Sequence, residues 1–449
     1  MESRSIASGI WLTAILCSVY LWSASASAQS LSDRITGISG AGSIFSAVTH
    51  TRTDLENTTE TNTEPSLGIS GNLGGNLESG ANSLALRYGG TLETRRDLSQ
   101  GDQTETSSVT GASRYSHFDP GSRFDFNLGH TVNSVRNDTG FVIDPSNYDT
   151  RNTLSAGAGL RFYPGDLSTL RFSGQAGRSF GSGESDGSES VTASTEFSRR
   201  LSERSTGSLV GSRSWSDDGR IETTLDSAQL VYSRTLETGS FSIGGGVSQA
   251  KTEYPDATVS ESDAVTGFVD RSWIAENWRT SVQYNRRLSN STTDLSLNLP
   301  DAFEFLPETI RLRDTVVSDS VLITHNTSQL CSACSLGLAA EAAVFESQLT
   351  GSKTHEYRAS VNLGLQVTNL QRLNFGYSWQ GDAGEDSGTI IDQIHRLSTR
   401  WTRQLAEDTS FSVEFNQSYL RSTSSATNDQ DQFALRLILT RSFALAGQR

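Results

Sequence analysis

Few side chains in this 449-residue chain have reactive chemistry, and their spacing limits what they could do. Two of its three cysteines form a compact motif, Cys331-Ser332-Ala333-Cys334. A C-x-x-C pair can serve as a redox couple, as half of a zinc site, or as a staple across a turn. No second C-x-x-C completes a zinc set, and no strand-to-helix context points to thioredoxin-like exchange. In the oxidising compartment implied by the export signal described below, the expected state is a disulfide between Cys331 and Cys334. The six histidines, His50, His117, His130, His325, His355 and His395, are scattered and never adopt H-x-x-x-H metal spacing. No G-x-S-x-G elbow or glycine-rich phosphate loop sits between a strand and a helix. The sequence therefore predicts no catalytic residue, no metal, no cofactor and no enzyme.

Arginine is the charged residue type that stands out. Of 36 basic residues only Lys251 and Lys353 are lysines, yet the formal charge is −15. An acidic balance argues against general nucleic-acid binding, which needs a basic face. Beyond residue 30 no window approaches ~18 continuous apolar residues, which excludes a helical membrane protein. The arginines must therefore act within some other architecture.

The N-terminus reads as an export signal. Ile10–Trp22 is an apolar run, and Ala26-Ser27-Ala28 supplies the small residues of a cleavage site. Cys17 follows Leu16, where a lipoprotein would carry a small residue. The expected organisation is a signal peptide over 1–28, a short periplasmic segment over 29–42, and one domain over 43–449.

That domain alternates apolar and polar residues throughout. Leu84, Leu86, Tyr88 and Leu92 share one parity, as do Leu154, Ala156, Ala158, Leu160 and Phe162. Period two means strand, because successive side chains point to opposite faces. About 20 such segments occur; 66–74, 206–215 and 312–325 are weak, which leaves 18 as the lower count. Connections alternate in length along the chain. Long polar ones (Asp54–Pro65, Arg95–Thr106, Asn133–Asp149, Ala250–Asp263, Ser289–Glu308, Gln348–Glu356, Gln380–Gly388) take turns with short ones (Tyr163–Ser168, Leu236–Gly239, Thr368–Gln371, Gln404–Asp408). Outer-membrane barrels do this because their turns are short on the periplasmic side and their loops long outside. The expected fold is all-β: a single transmembrane, antiparallel, up-and-down β-barrel with short periplasmic turns and long acidic extracellular loops.

Parity divides the charge. Arg87, Arg123, Arg161, Arg171, Arg279, Arg287, Arg358, Arg372, Arg396, Arg400 and Arg436 fall opposite the apolar face and are expected to line the lumen. Only a few acids, such as Asp125, Glu196 and Glu414, share that face in this reading, while most acids lie in the long connections. Arginine rings select anionic solutes in pores; a ladder bracing the wall is the structural alternative. The acidic loops bind divalent cations that bridge lipopolysaccharide phosphates, repel anions until a gate opens, or are simply solvated. Trp278, Trp379 and Trp401 fall on the lipid face, as an interfacial girdle would. Phe433, Leu435, Leu437, Leu439 and Phe443 alternate along the last segment, as an insertion signal read by the barrel-insertion machinery would.

The short turns share a degenerate pattern. Arg199-Arg200-Leu201-Ser202-Glu203-Arg204-Ser205, Arg234-Thr235-Leu236-Glu237-Thr238-Gly239-Ser240 and Arg403-Gln404-Leu405-Ala406-Glu407-Asp408-Thr409 each run from arginine through an apolar residue and a carboxylate into a new strand. Arg271-Ser272-Trp273-Ile274-Ala275-Glu276-Asn277 does the same. This resembles the large outer-membrane barrels of porin type that accompany bacterial exopolysaccharide and PEP-CTERM loci. The resemblance implies passage or anchoring of secreted polysaccharide, with polysaccharide export components as partners. The expected function is an outer-membrane channel of a Gram-negative bacterium that passes an anionic solute or exopolysaccharide. The alternative is a non-conducting docking barrel whose loops bind surface polymer or a partner protein.

Overall fold

Alternating segments become paired strands wherever the chain is described. The computed structural model describes residues 35–446 apart from 55–57, 99–100, 102, 120, 137–147, 182–186, 220, 256–257, 290–293, 297–308, 312–314, 332, 349–350, 385–389 and 424–428. The segment expected to be a signal peptide, residues 1–28, lies outside the described residues. The chain runs through β1 (Ile35–Asp54), β2 (Thr59–Ser79), β3 (Asn82–Arg96), β4 (Gln103–Phe118), β5 (Phe124–Arg136), β6 (Tyr148–Gly165) and β7 (Ser168–Gly181). It continues through β8 (Ser188–Ser202), β9 (Ser205–Asp217), β10 (Glu222–Leu236), β11 (Gly239–Glu253), β12 (Val259–Ala275) and β13 (Trp278–Ser289). Two three-residue strands follow, β14 (Asp294–Ser296) and β15 (Thr309–Arg311). The rest are β16 (Val316–Thr327), β17 (Cys334–Ser347), β18 (Lys353–Thr368), β19 (Gln371–Gly384), β20 (Ile390–Ala406), β21 (Thr409–Ser422) and β22 (Asp429–Ala446).

All except β14 and β15 belong to one 20-stranded sheet, each strand antiparallel to its neighbours. β22 pairs with β1 through Leu439↔Ile44, so the sheet closes into a barrel and retains no edge strand. At this seam the hydroxyls of Ser43 and Thr440 lie 2.8 Å apart. β14 and β15 form a separate two-stranded ladder in the connection between β13 and β16. The described residues contain no helix.

The structure corrects some boundaries. The weak segments are the strands β2, β9 and β16, which settles the count at 20. The first strand begins at Ile35 rather than near residue 43. Two connections expected as long loops are largely ladder: β1 and β2 stay paired to Asp54↔Thr59, and β11 and β12 to Glu253↔Val259. Alternation marks only the stretch with one face against lipid. Outside it both faces are polar, and the backbone keeps pairing with no sequence signal. Strands of 12 to 21 residues thus exceed the ~9–11 needed to cross a bilayer.

The two faces differ in kind. Leu67, Ile69, Leu92, Leu230, Val265, Leu435, Leu437 and Leu439 are exposed on the convex face, Val265 at 69 %. A continuous exposed apolar band is costly in water and suits lipid. The opposite face carries small and polar side chains. It is the concave one, because Arg436 on β22 reaches Glu93 on β3 at 4.0 Å across β1 and β2. On this face the ring of Phe45 fills the space over Gly68, where a Cβ would collide with the ring. The turn at Gly239 adopts φ +132°, and a Cβ there would strike the backbone carbonyl of Ser272.

Candidate functional site

The lumen face is the one surface that gathers charged side chains from every part of the chain. Strand register places the predicted arginines on it. Arg87 lies opposite Gly74 and Ala112, Arg279 opposite Asn326, and Arg287 opposite Ser318. Arg372 lies opposite Thr402, Arg396 opposite Ser378 and Ser418, and Arg436 opposite Ala47 and Glu414. Each pair shares a face, because residues directly opposite in an antiparallel ladder project together. Arg123 immediately precedes β5, two residues before Asp125.

Several of these arginines are held by carboxylates. Asp125 accepts a hydrogen bond from Arg171 and forms an ion pair with Arg161, each at 3.0 Å, which relieves the repulsion of two guanidiniums directly opposite in the ladder. Arg161 also lies 5.0 Å from the centre of the Phe118 ring. Arg400 meets Glu414 at 3.0 Å. Arg358 donates through Nε to Glu356 Oε1 at 2.7 Å, through Nη2 to the same oxygen, and approaches Glu341 at 3.7 Å. Gln380 Nε2 donates to that Glu356 oxygen at 2.9 Å. Arg358 and Glu356 are both buried, so this is a fixed cluster in the wall.

The lumen therefore holds more acid than expected. Glu356 and Asp382 were expected in loops, but they lie on β18 and β19 opposite one another, on the Arg358 face. Glu93 and Glu341 share that face and are also buried in the wall. Arg95, expected in a connection, is in β3 with Glu93 at 3.2 Å and Glu64 at 3.6 Å.

The short-turn rim of the barrel differs. Arg123, Arg279 and Arg372 are exposed there, on the lumen face, with no side-chain partner among the described residues. Arg200 joins them, opposite Thr206 near the end of β8, and is likewise exposed. The turn pattern contained Arg200, but only register shows that it faces the lumen while Arg199 faces outward. At the opposite rim, cations on the outer strand ends sit beside acids. Lys251 pairs with Glu253 at 2.7 Å, Arg286 with Asp319 at 2.6 Å and Arg421 with Asp431 at 2.6 Å.

The remaining predicted residues fall outside the lumen. Cys331, in the connection after β16, and Cys334, the first residue of β17, are joined by a disulfide, their Cα atoms 5.1 Å apart. Leu435, Leu437, Leu439 and Phe443 are exposed on the convex face of β22, and Phe433 packs edge-on against Tyr419 on that side. Trp278 stacks on His325 and Trp401 packs edge-on against Phe411, both near the short-turn end. His130 Nδ1 lies 2.8 Å from the Tyr88 hydroxyl, which also donates to Ser113 Oγ at 3.0 Å, and His395 Nδ1 lies 2.8 Å from the Tyr377 hydroxyl. Among the described residues no cluster of three or more His, Cys, Asp or Glu side chains is placed to hold a metal ion.

No family model and no curated protein sequence matches this chain. Solved structures do. A ferric enterobactin receptor (PfeA) mutant from Pseudomonas aeruginosa superposes with TM-score 0.50 at 11 % identity, covering 91 % of this chain and 80 % of that one. The siderophore receptor PirA from Acinetobacter baumannii gives TM-score 0.50 at 10 % identity, covering 91 % and 81 %. Pseudomonas aeruginosa OccK5 (OpdH) matches at TM-score 0.36 and 11 % identity, covering 90 % and 98 %. At such identities the likeness to the two receptors is one of fold alone, that of a large β-barrel.

Proposed function

We propose that this chain is a passive channel in the outer membrane of a Gram-negative bacterium, with a lumen that favours anions. One observation carries the reading: Arg123, Arg200, Arg279 and Arg372 are exposed on the lumen face of a single rim, with no side-chain partner among the described residues. Paired arginines deeper in the barrel brace the wall and present little free charge. Unpaired ones at a mouth raise the local concentration of anions and repel cations. By the alternation of connection lengths, this rim is the periplasmic one. A solute leaving the periplasm would therefore meet arginine first, and an acidic form of the secreted polysaccharide implied by the turn resemblance would suit such a mouth. The acidic outer strand ends would then favour onward release.

In this reading the convex band contacts lipid and the outer rim contacts lipopolysaccharide. The last strand serves as the insertion signal, export components dock at the periplasmic rim, and no reaction is catalysed. The test is planar-bilayer reconstitution of the purified barrel in a salt gradient. The expected result is a reversal potential on the anion side, abolished when Arg123, Arg200, Arg279 and Arg372 are together replaced by glutamine. A silent barrel, or one preferring cations, would reject the proposal.

A further inference from the structure

The barrel wall parts between β12 and β13. β12 pairs with β11 to its outer end, but with β13 only from Ala275↔Trp278 to Gly267↔Arg286. Beyond that point β13 remains paired with β16 through Ser289↔Val316, and the two leave β12 together. At the parting, Arg286 Nε donates to the Val265 carbonyl of β12 at 3.0 Å.

The departing strand ends turn into the barrel. Ala250, on the lumen face of β11, is fully buried (0 %) in a cluster with Leu288 and Val317, and Leu225 and Ala264 pack against it. Thr252 Oγ1 lies 3.0 Å from Thr315 Oγ1, a contact between β11 and the residue before β16 that bypasses β12 and β13. Thr252 is 2 % exposed, although its position on an outer strand end would face open water in a plain cylinder. Leu288 and Val317 sit at parities that face outward lower on β13 and β16. They are buried on the lumen side only because the ladder has parted and the paired ends have swung across β11.

We infer that the outer ends of β13 and β16 form a constriction hairpin, folded against the lumen face of β10–β12, that sets the narrowest cross-section of the channel. The inference rests on the channel reading for its role, and on the contacts at Ala250 and Thr252 for its position. A hairpin seated by apolar contact with Ala250 and by one hydroxyl pair narrows the lumen from one side. It leaves the arginine rim at the other end open.

Two variants test position and role separately. Thr252→Cys with Thr315→Cys, in a background with Cys331 and Cys334 replaced by serine, should form a reducible crosslink in the folded, heat-modifiable barrel. A folded barrel that resists crosslinking under oxidant overturns the hairpin's position. Leu288→Asp with Val317→Asp places carboxylates against Ala250 and should release the hairpin, raising single-channel conductance about twofold over the unaltered barrel as the constriction opens. Unchanged conductance in the folded variant overturns the constriction role. If the crosslink forms while both the unaltered and the released barrels are silent, the channel reading fails and the constriction role with it, and the inward fold stands.

Discussion

The guanidinium of Arg436 lies over the ring of Phe45, 4.4 Å from its centre. The same arginine reaches Glu93 two strands further on, and the ring beneath it covers Gly68. An aromatic folded over a strand glycine restores contact that the glycine lacks, and a cation above the ring adds attraction. These residues form a small stack on the lumen face beside the seam that closes the barrel.

Phe45→Ala removes the middle of that stack. It should lower stability by about 3 kcal/mol, the cost typical of an aromatic truncated in a packed site. Gly68→Val should also destabilise the barrel, because the added side chain occupies the space of the ring. Urea unfolding of each variant in lipid vesicles checks both, and an unchanged midpoint for either would show that the stack contributes nothing.

Arg358 lies between two buried carboxylates, Glu341 and Glu356. Arg358→Met leaves Glu341 and Glu356 facing one another without it, and should cost about 3–5 kcal/mol, as for other broken buried pairs. Replacing both glutamates by glutamine in the same chain should recover most of that loss. Thermal unfolding of the single and triple variants provides the comparison.

Leu230 and Val231 are adjacent on β10 and face opposite sides of the wall, Leu230 exposed on the convex face. Leu230→Arg should cost about 2–4 kcal/mol in a bilayer, the penalty of arginine on the lipid face of a barrel. Val231→Arg, projecting into the lumen, should cost much less. Equal losses would mean that the convex face does not meet hydrocarbon.

Asp408, in the turn between β20 and β21, has its carboxyl held below the usual range, chiefly by the Thr409 hydroxyl and then by Arg441 at 2.9 Å. A folded-state value below the unfolded one stabilises the fold at pH values above the ordinary carboxylate value of 3.8. That contribution fades as pH falls through the lowered value. The melting temperatures of the protein and of Asp408→Asn should therefore differ at neutral pH and converge as acidification protonates the carboxyl.

Much of this architecture was legible because the side-chain period in a strand is exactly two residues, so one apolar parity fixes the other. Leu435, Leu437 and Leu439 placed Arg436 in the lumen, and Leu154 and Leu160 did the same for Arg161. Legibility ended where alternation ended. Glu356 and Asp382 read as loop acids because both faces of their strand ends are polar, and so the partners of Arg358 were missed. The inward turn of Leu288 and Val317 left no mark at all, because it depends on where β13 stops pairing with β12. Parity reports a residue's face only while the ladder is continuous.

The hydroxyl contact between Ser43 and Thr440 joins residues 397 positions apart, and every strand between them must be threaded in order before it can form. No intermediate of such a cylinder satisfies its terminal strands, because the first and last are each other's missing neighbours. Until synthesis is complete, the growing ribbon carries two unsated margins, each able to recruit a stranger. A shield over those margins until the ends meet would remove that hazard. The chain's final step is a recognition event between its own two extremities.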